Sequence, residues 1–176
     1  MSLSTVEEAL TALREGKPVL VADAENRENE GDAIMAAEFA TEEWIAWIVR
    51  KTSGYLCAPM TEQMANHLEL PLMTIANQDS LRTQYTVSVD AASGVTTGIS
   101  AADRAHTLQV LADPTSTSES LIRPGHVIPL RAHQGGVLAR QGHTEATVDL
   151  LKLAGLTPVG VIAEMVSADG SMTRLP

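Results

Sequence analysis

Ten consecutive residues, Asp23-Ala-Glu-Asn-Arg-Glu-Asn-Glu-Gly-Asp32, hold five carboxylates and a single base, Arg27. Carboxylates packed this densely repel one another, so the segment is either a solvated acidic loop or a place where a cation is held. It follows an apolar run, Val19-Leu-Val-Ala, where sites commonly sit in folds that mix strands and helices, and Gly31 marks tight backbone. A calcium loop of the EF-hand kind is excluded, because it needs Asp or Asn where Arg27 stands and Gly where Glu28 stands. What remains is a source of hard oxygen ligands for Mg2+ or Mn2+, with spare carboxylates for proton transfer.

Two of the five histidines follow a glycine with an arginine close by, in Arg123-Pro-Gly-His126 and Arg140-Gln-Gly-His143-Thr-Glu. His143 heads a predicted helix, whose free N–H groups and dipole favour an anion, and Arg140, Gly142 and Thr144 complete a phosphate cup. No His-Glu-x-x-His is present, and one imidazole among carboxylates suits Mg2+ or Mn2+ better than zinc. Gly94-Val-Thr-Thr-Gly-Ile-Ser100 offers a second anion or sugar-hydroxyl contact, or simply a turn capped at Ser100; it matches neither the P-loop nor the dinucleotide fingerprint. Cys57, the lone cysteine, lies in an apolar run and is expected to be a buried thiol. Glu164 interrupts Val161-Ile-Ala-Glu-Met; facing inward it would be a desolvated acid or base, facing outward an ordinary surface charge.

The elements that must position these groups follow from periodicity. Helices are predicted from about Val6 to Arg14, capped by Ser4 with Glu7; from near Thr41, with Trp44, Ile45, Ile48 and Val49 on one face; from Ser100 to about Ala112; and from about Thr144 to Ala154. Strands are predicted at Val19–Ala22, Ala33–Met35, Tyr55–Pro59, Gln84–Asp90, His126–Ala132 and Val159–Glu164. Gln84–Asp90 carries the clearest alternation, with Tyr85, Val87 and Val89 inward, whereas Pro129 consigns its segment to an edge or an irregular strand. The interleaving implies a single domain over residues 1–176, an α/β or α+β fold with one mixed sheet flanked by helices.

Composition narrows the partners. With 176 residues, 44% hydrophobic and 19% charged, the chain can bury its own core. A formal net charge of -10 and only five aromatic residues argue against nucleic acid. The longest uncharged stretch, residues 91–102, is too short to cross a membrane, and one cysteine with no leader pattern predicts a cytoplasmic protein. Trp44 and Trp47 beside Ile45 and Ile48 are more apolar surface than one helix usually hides, which predicts a homodimer.

Taken together, Arg27-Glu-Asn-Glu-Gly-Asp32, Gly94-Val-Thr-Thr-Gly-Ile-Ser-Ala-Ala-Asp-Arg104, Arg123-Pro-Gly-His126, Gly135-Gly-Val-Leu138 and Gly142-His-Thr-Glu-Ala146 resemble the 3,4-dihydroxy-2-butanone 4-phosphate synthase family over nearly the whole chain. The resemblance implies an Mg2+- or Mn2+-dependent lyase of riboflavin biosynthesis that turns ribulose 5-phosphate into the four-carbon product and formate. It also implies a homodimer with active sites at the subunit interface. Carried over by position, it makes Glu28 and His143 metal ligands and places Arg27 and Asp32 on the substrate. Arg140, Gln141, Gly142 and Thr144 go to the phosphate end, and His126 and Glu164 become the proton carriers. The chain departs from the family pattern at Ala24 and Asn26, where the family has acids; at Ile128, in place of an aromatic; and at Pro176, where members usually continue. The alternatives are a weakened paralogue that binds a sugar phosphate as a regulatory or structural module, and a synthase domain of a bifunctional enzyme with GTP cyclohydrolase II.

Overall fold

The structure is a computed structural model and describes residues 3–175. Six strands form one mixed sheet: β1 (Val19–Ala22), β2 (Gly31–Ala36), β3 (Cys57–Met60), β4 (Val89–Ala91), β5 (Leu121–Arg131) and β6 (Gly160–Glu164), in the order β1-β2-β6-β3-β5-β4. Only β3 and β5 run parallel. Five helices cover it: α1 (Val6–Arg14), α2 (Glu42–Lys51), α3 (Glu62–His67), α4 (Ala101–Ala112) and α5 (His143–Ala154). Strand alternation divides the core between the faces. Met35, Ala58, Met60, Val127 and Val161 point to α2 and α4, with Ile45, Ile48, Leu108 and Leu111. Ile34, Cys57, Leu130 and Ile162 point the other way, where Leu13 of α1 and Leu151 of α5 pack on Ala36. The mixed sheet flanked by helices is therefore as expected, and Cys57 is a buried free thiol.

Two local expectations are corrected. The capping box of α1 is Thr5 with Glu8, one residue later than Ser4 with Glu7: Thr5 Oγ1 accepts from the Glu8 N–H at 3.2 Å and Glu8 Oε2 from the Thr5 N–H at 2.8 Å. Both pairs have capping-box spacing, so neither is preferred by motif alone. The predicted strand Gln84–Asp90 is continuous only at β4, and Thr86 and Asp90 are buried in place of the alternation expected. Pro129 in the facing strand is the reason: its carbonyl accepts the Thr86 N–H at 3.0 Å, but it has no N–H to return, and the register shifts again between Val89 and Asp90. Of the two places expected for Pro129, the structure takes the irregular one: the strand is interior, and the N-side of Pro129 is turned to this broken stretch. Trp44 and Trp47, both half-buried, pack edge to face, centroids 6.1 Å apart, along the core.

Where β4 and β5 cross, Gly125 lies so close that a Cβ would meet the Val89 carbonyl carbon at 2.0 Å and the Asp90 nitrogen at 2.2 Å. Backbone cannot yield as a side-chain tip can. Gly125→Ala is expected to destabilise the fold by about 1–3 kcal/mol or more, read as a lower urea midpoint at unchanged m-value; an unshifted midpoint would show that the strands part freely.

Candidate active site

The acidic segment joins β1 to β2 and is folded around its first carboxylate. Asp23 Oδ2 accepts the Glu28 N–H at 3.0 Å and an Arg27 N–H at 2.7 Å, Asp23 Oδ1 accepts the Glu30 N–H at 2.9 Å, and the Arg27 N–H closes a turn on Ala24 O at 2.9 Å. Arg27 also pairs with the Glu28 carboxylate. Arg174 donates to the carbonyls of Glu28 and Asn29, and Asn29 adopts φ +54° at the crown. The loop is thus an ordered cradle.

Strand register supplies the next two acids. Asp32 of β2 pairs with Glu164 of β6, so their side chains stand side by side on the face that carries Ile162 and Cys57. Like charges directly opposite on a sheet are unfavourable, so the pair calls for a neighbouring cation or a held proton. Glu164, half-buried, borders the same cavity as Asp32 and accepts from Ser53 Oγ at 2.6 Å. From the opposite side α5 begins at His143, whose Nδ1 is 3.5 Å from both Glu28 Oε2 and Asp32 Oδ1. A ligand atom each from Asp23, Glu28 and His143 lie within 4.8 Å of one another, while buried Asp32 Oδ1 and His143 Nε2 lack a hydrogen-bond partner. Two carboxylates and an imidazole around unsatisfied polar atoms fit a hard divalent cation.

Burial pushes the Asp32 carboxyl up to about 7, aided by Glu164 and Glu28 and opposed by His143. Burial also works against charge on His143, but the hydrogen bond to Glu28 and the carboxylates of Asp32 and Asp23 prevail and raise it above the ordinary imidazole value. Glu28 is held low, first by the His143 hydrogen bond, against burial and with help from Arg27. In metal-free protein these shifts set a sign. The unfolded chain releases the Asp32 proton near the ordinary carboxylate value of 3.8, the fold only near 7, so stability falls as pH rises through that window. His143, raised in the fold, adds stability that is lost as pH rises past its unfolded value. The metal-free melting temperature is expected to be lower at about pH 8 than at about pH 6, with Mg2+ raising it more at the higher pH, where fewer protons compete. A scan with chelator and with Mg2+ at both values checks this.

Arg27, Glu28, Asp32, Arg140, His143, Thr144 and Glu164 all border one cavity of about 50 Å³. Its apolar wall, Cys57 and Tyr85, and its rim at Thr83 and Glu30 were not singled out as site residues: Thr83 and Tyr85 reach it only through tertiary contact, with no local motif to mark them. Asp23 lay in the acidic motif, but nothing in the spacing distinguished it as the hub. Gln141 opens instead on an adjoining hollow of about 180 Å³ with Ala24 and Gly142. A Cβ at Gly142 would lie 2.3 Å from Arg140 Nη1 and 2.6 Å from Glu145 Oε2, so a side chain there would push that ion pair aside. Gly142 leaves the α5 N-terminus without a side-chain cap. The Arg140 guanidinium is already engaged, donating to Glu145 at 2.6 Å, Leu81 O at 3.1 Å and Thr83 Oγ1 at 3.0 Å, so it braces the cup as well as facing it.

His126 is not brought to this cavity. It lies near the β4–β5 crossing beside Asp90, its side chain 40% exposed. A larger hollow, about 760 Å³, lies between α3 and α5 and is lined by His67, His133 and Lys152 among others, but it lacks the convergent acids of the small cavity. Chemistry, and not volume, selects the site. Among the described residues no helix is long and apolar enough to cross a membrane.

The family model of 3,4-dihydroxy-2-butanone 4-phosphate synthase matches residues 7–176. The chain is 58% identical over 175 residues to the riboflavin biosynthesis protein RibBA of Salinispora arenicola, covering 99% of this chain but 42% of that protein. It is 52% identical over 174 residues to the 3,4-dihydroxy-2-butanone 4-phosphate synthase of Vibrio cholerae, covering 99% of this chain and 80% of that one. A crystal structure of 3,4-dihydroxy-2-butanone 4-phosphate synthase in complex with two magnesium ions superposes with a TM-score of 0.92 at 47% identity, covering 98% of this chain and 82% of that one.

Proposed function

The chain belongs to the 3,4-dihydroxy-2-butanone 4-phosphate synthase family, and from that premise we propose that it is an Mg2+- or Mn2+-dependent lyase converting D-ribulose 5-phosphate to L-3,4-dihydroxy-2-butanone 4-phosphate and formate. The observation that carries the reading is the approach of Asp23, Glu28 and His143 within 4.8 Å, beside the paired acids Asp32 and Glu164.

Glu28 and His143 would hold the metal, with Asp23 within reach; when bound, the metal polarises the ketone and the adjacent hydroxyl and makes the C3 proton removable. Arg27 and Asp32 orient the sugar from the loop side. The N–H groups at the start of α5, with Gly142, Thr144, Gln141 and Arg140, take the phosphate. Glu164, anchored by Ser53, faces the same space and carries a proton during loss of the C1 hydroxyl, the carbon shift and departure of C4 as formate.

His126 enters this scheme only if a second copy supplies it, because within one chain it lies outside the cavity. The reading is therefore a cytoplasmic homodimer with sites at the interface. Ile75 and Leu138, almost fully exposed, and Ile99 and Ile122, half exposed, are apolar residues that a second copy would cover. The direct test is incubation with ribulose 5-phosphate and Mg2+: one formate per four-carbon phosphate is expected, and no formate would overturn the reading. Mixing inactive His126→Asn and Glu164→Gln proteins should restore about a quarter of parental activity, since half the dimers formed would be mixed and each would hold one intact site. No restoration would place both residues in one chain's site.

A further inference from the structure

Beyond the cavity itself, the most heavily constrained group of side chains is the pair Asp90 and His126. We infer that Asp90 is a positioning residue: it holds His126 in the tautomer protonated on Nδ1 and so makes Nε2 the atom that takes a proton. The inference rests on the proposed reading of His126 as a proton carrier.

Both oxygens of Asp90 are committed to this histidine. Oδ1 accepts the His126 backbone N–H at 2.8 Å, and Oδ2 lies 2.7 Å from His126 Nδ1. An ionised carboxylate has no hydrogen to give, so the short contact requires the hydrogen on Nδ1, and the Nε2 lone pair is left for substrate. The backbone is shaped around the pair. The register shifts between Val89 and Asp90, which turns the Asp90 side chain to the site of contact. Gly125, next to His126, crosses directly over that shift. Gly98, at φ +89°, approaches so closely that a Cβ would lie 2.1 Å from Asp90 Oδ2 and 2.7 Å from His126 Nδ1, which screens the hydrogen bond from water on that side. The Gly98 turn is pinned in turn by Asp103, which accepts the Gly98 N–H at 3.0 Å and the Thr96 hydroxyl at 2.7 Å. Asp90 itself is buried, whereas the imidazole is exposed on its other side. A fixed acid behind an open imidazole defines a base aimed outward.

Two substitutions separate this role from mere packing. In Asp90→Asn the oxygen must stay on the His126 backbone N–H, so the amide NH2 faces Nδ1 and forces the hydrogen onto Nε2. Asp90→Ala removes more atoms but imposes no tautomer. Turnover of ribulose 5-phosphate by the Mg2+-loaded enzyme should fall by about 100-fold or more in Asp90→Asn and by only about 10-fold in Asp90→Ala, with KM nearly unchanged in both. A packing role predicts the reverse order. Nitrogen-15 NMR of the imidazole supplies a second readout: the parent should show hydrogen on Nδ1, and Asp90→Asn hydrogen on Nε2. Hydrogen on Nε2 in the parent, or Asp90→Ala losing at least as much turnover as Asp90→Asn, would overturn the inference. Parental turnover in His126→Asn would remove the role of His126, and that of Asp90 with it, without touching the metal site.

Discussion

Formate release from ribulose 5-phosphate is expected to vanish on exhaustive chelation and to return with Mg2+ or Mn2+. The chain contributes Asp23, Glu28 and His143 at mutual distances within 4.8 Å, which leaves coordination positions for substrate and water. Beside this cluster Asp32 and Glu164 stand together on adjacent strands, and His143 Nε2 is unpartnered in the interior. Glu28→Gln and His143→Ala each remove a ligand. Both should weaken Mn2+ binding, read by electron paramagnetic resonance on the protein with metal alone, by at least the 10–100-fold or so typical of losing even an outer partner. Cys57→Ser, on the apolar wall, should leave metal affinity close to parental. Full activity after chelation would exclude the metal role; weakened Mn2+ binding in Cys57→Ser equal to that in Glu28→Gln would show that the cluster is not the binding locus.

The second large effect is expected at Glu164. In Glu164→Gln the side chain keeps its length and can still accept from Ser53 Oγ, so the end of β6 and its register with Asp32 should persist. Titration alone is lost. Turnover should fall by about 100-fold or more while KM for ribulose 5-phosphate and the melting temperature stay near parental values. Parental turnover would reduce Glu164 to a structural partner of Ser53, and the proton transfers would then have to be carried by Asp32 and Glu30 of the acidic loop.

Several features were legible in the order of residues alone because their physics is local. Ser100 caps α4, its hydroxyl accepting the Asp103 N–H, because a short polar side chain satisfies a helix's free N–H wherever the chain turns into a helix. Gly155 closes α5 at φ +74°, as a glycine can. The acidic run, the glycine before His143 and the isolated Glu164 mark chemistry, since such groups are costly to place without a purpose. The interleaved periods imply a mixed sheet with helices on its faces.

What spacing leaves open is which distant groups meet. Asp32 and Glu164 become neighbours only because β2 and β6 pair antiparallel in a register that places 32 against 164, and a shift of one residue would turn one of them to the opposite face. Thr83 and Tyr85 join the cavity through the irregular stretch beside Pro129, where a missing N–H far along the chain overrides the local alternation of Gln84–Asp90. Arg140 reads as a phosphate ligand, yet Glu145, Leu81 and Thr83 also claim its donors, and within one chain His126 stands apart from the cavity, paired with Asp90. Types and spacings determine which chemistry this chain can perform, because ionisation and ligand preference belong to single side chains. Only the tertiary structure decides which of them share one space, because that depends on strand register and on contacts between residues far apart in the chain.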